Sequence, residues 1–177
     1  MMKRSLLICA LVAFALASCK KDETTSPSGP TSQSDPVSFR LDSITLTGFN
    51  AMNGNGSYWD GGNGSNPADP FVNVYKEDVL LFTSTVASSA SNTGSYAMST
   101  PASGALPIAY GAGTKLEIAL WDDDGDPNNN APDYMGHVVI DDALTFFYGG
   151  DHAAGFTDLQ VTGNNGITFL LTGTFVY

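Results

Sequence analysis

Beyond residue 37, no apolar stripe of this chain keeps a helical period for about ten residues, and that rules out helix bundles and α/β layers together. Short β-branched and aromatic runs appear instead, at 39–48 (FRLDSITLTG), 71–75 (FVNVY), 79–86 (VLLFTSTV), 106–110, 116–121 (LEIALW), 137–141 and 167–177 (ITFLLTGTFVY). Weaker runs lie at 96–99 and 157–161, and Gly, Ser, Asn and Pro punctuate all of them. Several alternate with period two: Phe71, Asn73 and Tyr75 share one face, Val72 and Val74 the other. Such strands build an all-β, antiparallel β-sandwich. Residues 87–104 read as a long loop around a thin edge strand, and Phe146, Phe147 and Tyr148 as core or a hydrophobic turn. Trp121 is expected to plug the core at the end of a central strand.

The first residues carry a different signal. Lys3 and Arg4 precede an apolar run over residues 6–16, too short for a bilayer core of ~30 Å and typical of a signal peptide. Leu16-Ala17-Ser18-Cys19 resembles the lipobox of bacterial lipoproteins. That resemblance implies cleavage after a signal peptide at 1–18 and acyl chains on Cys19, an anchor to the outer membrane. Lys20-Lys21-Asp22-Glu23 is similar to the surface-export signal of Bacteroidota lipoproteins, which implies exposure at the cell surface. Residues 19–37 form a Ser/Thr/Pro-rich linker, whose thirteen residues from Thr24 to Pro36 span at most about 45 Å. The folded domain is placed at 38–177. With Cys9 in the signal peptide and Cys19 lipidated, disulfides, thiol catalysis and cysteine metal sites are excluded.

Charge sets the next limit. From Ser38 onward Arg40, Lys76 and Lys115 face fifteen carboxylates, so a nucleic acid partner is excluded. Five of those carboxylates fall within twelve residues: Asp122, Asp123, Asp124, Asp126 and Asp133. They repel one another, no lysine run is at hand to balance them, and the counterion that suits oxygen ligands is a hard divalent cation. For an exported protein that ion is Ca²⁺. A second polar loop, rich in glycine and carrying Asp60 and Asp69, feeds the strand at 71–75. Six to eight oxygens are needed per ion, so two loops meeting at one end of a sandwich suit it better than one. An EF-hand is excluded, because Pro127 occupies the sixth position from Asp122 where that loop requires glycine.

At these residues the chain resembles the C2 domain family. Asp69-Pro70-Phe71-Val72-Asn73-Val74 is similar to the family's Asp-Pro-Tyr-Val-Lys-Val strand, Leu116 to Asp124 (LEIALWDDD) to its strand ending in Asp-x-Asp, and Asp133-Tyr134-Met135-Gly136 to the motif that follows. The resemblance implies an eight-stranded sandwich in the permuted topology whose first calcium loop follows strand one. It also implies calcium ligands at Asp60, Asp69, Asp122, Asp124 and Asp133, with Asp123 pointing away. The chain departs from lipid-binding members in lacking a basic groove.

Tyr58 and Trp59 flank Asp60 and are candidates for stacking on a ligand. Asp151-His152 has no nucleophile near it, neither histidine has metal-ligand spacing, and no phosphate loop is present, so an enzyme is not expected. The sequence thus describes a membrane-anchored lipoprotein whose calcium-binding, C2-like domain serves as a binding or structural module at the cell surface. Its partners beyond the membrane at Cys19 are a glycan, a protein or a phospholipid at the calcium loops. The alternatives are a calcium-shaped adhesion or glycan-binding module using the loop aromatics, and a structural lipoprotein without metal. Oligomeric state is not encoded in any of these features.

Overall fold

The computed structural model describes residues 34–60, 67–98, 106–125, 131–149 and 154–177. The signal peptide, Cys19, the linker up to residue 33, Asp126 and Asp151-His152 lie outside the described residues.

Two antiparallel sheets face each other. The first is built on β1 (Ser38–Gly48), flanked by β9 (Thr168–Val176) and then β8 (Gly155–Thr162). On its other edge β1 pairs with β5 (Ile108–Gly111) over Ser38 to Leu41 and with β4 (Tyr96–Ala97) at Thr45 and Leu46. β4 and β5 therefore share one strand position end to end. The second sheet runs β3 (Val79–Thr83), β2 (Pro70–Lys76), β6 (Leu116–Asp122), β7 (Asp133–Ile140). Nine described strands thus fill eight positions, and the loop after β1 is the one that carries Asp60 and Asp69, as expected for the permuted eight-stranded topology.

Alternation fixes the two faces of each strand. Val72 and Val74 of β2, and Leu116, Ile118 and Leu120 of β6, are fully buried against Phe39, Leu41, Leu46, Phe169 and Leu171 of the opposite sheet. Aromatic rings close the end where the chain enters, with Phe39 4.6 Å from Phe147 and 5.3 Å from Phe156. Phe147 belongs to α1 (Ala143–Tyr148), which stands where a core segment or hydrophobic turn is expected. Asp142 caps it by accepting from the Thr145 amide at 3.1 Å.

Parity also corrects the expectation for Trp121. Leu116, Ile118 and Leu120 occupy the inward positions, so Trp121 falls on the outer face of its sheet, where it is half-buried against Tyr134 at 5.2 Å. The inward position at the strand's end goes to Asp122, which is 0% exposed.

Candidate metal centre

β6 delivers a carboxylate to the top of a hydrophobic core. Asp122 Oδ1 accepts the Asp69 amide at 2.6 Å, while Oδ2 is buried without a hydrogen-bond partner. A buried acceptor left open costs free energy, and a carboxylate more than most. Burial accordingly pushes the Asp122 carboxyl up to about 7, against the pull of the Asp69 amide and with help from the charges of Asp60, Asp124 and Asp69.

Other carboxylates converge there. Asp60, Asp122 and Asp124 each place an oxygen within 4.8 Å of the other two. Burial raises the Asp60 carboxyl, and the charges of Asp69, Asp124 and Asp123 raise it further. The Asp124 carboxyl is raised by burial first, then by Asp133 and Asp123. Asp69 and Asp133 thus lie within electrostatic reach of the trio without joining its tight grouping. The register explains Asp133: it pairs directly with Asp122 across β6 and β7, so the two side chains share a face.

Backbone hydrogen bonds hold the two loops together. The Asp123 amide donates to the Asp69 carbonyl at 3.1 Å, alongside the Asp69 to Asp122 contact. An Asp69 side-chain oxygen accepts the Ser89 amide, bracing the first loop against the chain after β3. Asp123 turns its carboxylate to the Gly125 amide at 3.2 Å, closing a local turn.

The loop aromatics divide. Trp59 is 9% exposed, belongs to the core and donates its indole N–H to the Asn50 carbonyl at 2.7 Å, so it anchors the loop and is not a free contact surface. Tyr58 is half-buried and bridges to Met52. The acid-rich spacing signals the centre; nothing in the spacing signals that Asp122, of all the acids, is the one sealed in the core.

A hard cation suits these residues on their own chemistry. The donors are all oxygen, they come from two loops tied to each other, and one of them is a buried oxygen with no partner.

No family model matches the chain, and no curated protein does. Among solved structures, the calcium-bound tandem C2 domains of extended synaptotagmin 2 align with a TM-score of 0.52 at 18% identity, over 79% of this chain and 46% of that one. A structure of a C2 domain aligns at 0.48 and 12% identity, over 79% of this chain and 98% of that one. A C2 domain of a plant extended synaptotagmin 1 aligns at 0.45 and 13%, over 80% and 95%. The fold is C2-like.

Proposed function

We propose that this chain is a cell-envelope lipoprotein, held by acyl chains on Cys19, whose C2-like domain binds Ca²⁺ and acts as a binding or structural module at the cell surface. The observation that carries the calcium reading is the buried, unpartnered Oδ2 of Asp122 within a trio of carboxylates. Asp60, Asp122 and Asp124 would hold the ion, with Asp69 and Asp133 adding charge and further oxygens. When bound, the ion supplies positive charge that the pole otherwise lacks. The protein's part is to hold the carboxylates at fixed spacing, and the Asp69 amide does this by fixing one Asp122 oxygen so that the other is left open.

Function follows from rigidity and charge rather than chemistry. Three basic residues, Arg40, Lys76 and Lys115, give the fold no cationic groove for anionic head groups. Attachment through Cys19 removes the need for one, since multi-chain acylation alone makes membrane attachment durable. The ion then orders the acidic loops as a recognition pole.

Isothermal titration with CaCl₂ tests the cation. Wild type is expected to release or absorb heat saturably, and Asp60→Asn, Asp122→Asn and Asp124→Asn each to weaken or remove the isotherm. A flat wild-type titration contradicts the reading. Metabolic labelling with a clickable fatty acid tests the anchor: the label should enter wild type and be absent from Cys19→Ala.

A further inference from the structure

The outer face of the second sheet carries a row of aromatic side chains on three adjacent strands. Phe71, Trp121 and Tyr134 are register partners across β2, β6 and β7, one step below the acidic pole. A β-bulge makes the row. Leu120 pairs with Gly136 and Trp121 with Tyr134, so Met135 is the extra residue, turned into the core at 1% exposure. The bulge sets Tyr134 on the same face as His137, ring centroids 5.9 Å apart. Gly136 permits it: its φ is +145°, and a Cβ there would lie 2.5 Å from Asn164 Oδ1 and 2.6 Å from Ile167 Cδ1.

The row is held before any ligand arrives. Tyr134 packs edge-on against Trp121 at 5.2 Å and its hydroxyl is hydrogen-bonded with the Asn164 side chain, whose Oδ1 also accepts the His137 amide at 2.6 Å. Yet Tyr134 stays 42% exposed, and α1 packs on β1 and β5 of the other sheet, leaving this face uncovered by it. Polar groups flank the rings in pairs: His137 Nδ1 lies 3.0 Å from Glu117 Oε1, and Thr83 Oγ1 donates to Asn73 Oδ1 at 2.6 Å.

We propose that this face is a saccharide-binding site, and that its occupant is a neutral glycan. Tyr134 is the exposed ring of the row, beside half-buried Trp121 and buried Phe71, and packs on the C–H face of a pyranose, while side chains carrying both donors and acceptors meet its hydroxyls. Charge disfavours an acidic occupant. Glu117, the carboxylate among the flanking groups, shares a hydrogen bond with His137, and Lys115, just before β6, is ion-paired to Asp78. Above the row stand Asp60, Asp69, Asp122, Asp123, Asp124 and Asp133, which repel an anionic lipid head group or an acidic glycan. The contact uses none of these acids, so it stands apart from the calcium reading.

Retention of the full chain on immobilised neutral oligosaccharides of gluco, manno and galacto configuration tests the site. Wild type should be retained in Ca²⁺ and in EGTA alike, and free sugar should change the fluorescence of half-buried Trp121. Tyr134→Ala should weaken retention about tenfold or more, while Tyr134→Phe keeps it within about threefold. Phe146→Ala, which removes an exposed ring from the other sheet's helix, should change nothing. Retention on none of the sugars overturns the proposal, as does retention that survives Tyr134→Ala or disappears with EGTA. Sedimentation showing a dimer that Tyr134→Ala dissolves also overturns it, because a second copy then covers the face.

Discussion

The amide of Asp69 donates to Oδ1 of Asp122 over 2.6 Å, tying the loop after β1 to the end of β6 through a carboxylate that is 0% exposed. Together with the Asp123 amide's bond to the Asp69 carbonyl, this hydrogen bond ties the two loops, and it decides which Asp122 oxygen stays open.

Replacing Asp122 by Asn separates the carboxylate's two roles. The amide oxygen still accepts from Asp69, while the buried charge and its repulsion with Asp60 and Asp124 are gone. In EGTA at neutral pH the variant should melt at or above wild type. In Ca²⁺ it should show little of the wild-type gain. Paired melting curves by circular dichroism check both halves.

Asp123→Asn should behave differently from its neighbours. Its carboxylate is engaged with the Gly125 amide, outside the trio. Most of the calcium response should persist in this variant and be lost in Asp124→Asn, as read by calcium titration of each.

Metal-free protein should gain stability on acidification. Because the folded Asp122 carboxyl titrates near 7 and a free one near 3.8, the folded state binds an extra proton between those values. Stability then falls as pH rises through that window and is fullest below it, by an amount on the order of a few kcal/mol. Chemical denaturation in EGTA at pH 5 and pH 8 should show the higher midpoint at pH 5. Saturating Ca²⁺ competes with the proton for Asp122 and should flatten or reverse the trend.

Trp59→Ala is expected to act on stability. Removing a core indole that also holds the Asn50 carbonyl should cost about 3 kcal/mol or more. Denaturant unfolding measures it, with calcium affinity reduced only as far as the loop loosens.

Much of the sandwich is legible in the chain because stretches of several strands keep a period of two, and β9 keeps it from end to end. β2 is another case, with Val72 and Val74 inside and Asn73 and Tyr75 outside. β8 reads weakly for a physical reason: the register slips between Phe156 and Leu159, and Asp158 takes a φ of 52°, so its alternation is interrupted. α1 is six residues long, too short for a helical stripe to show. The acidic loops announce themselves by charge, yet the inward turn of Asp122 and the outward turn of Trp121 depend on the parity of β6 from Leu116 onward. The Met135 bulge is more deeply hidden, since it is set by Gly136 and by the approach of Asn164 from the short turn between β8 and β9.

Thermal unfolding of the wild-type protein in Ca²⁺ and in EGTA at pH 7.5 tests the central claim most directly. If Asp60, Asp122 and Asp124 hold a cation in the folded state alone, stability rises by RT ln(1 + [Ca²⁺]/Kd), about 2.7 kcal/mol at a hundredfold excess over Kd. The melting temperature should therefore climb with calcium concentration and fall back on chelation. Superimposable curves across that range would contradict a calcium site at this pole.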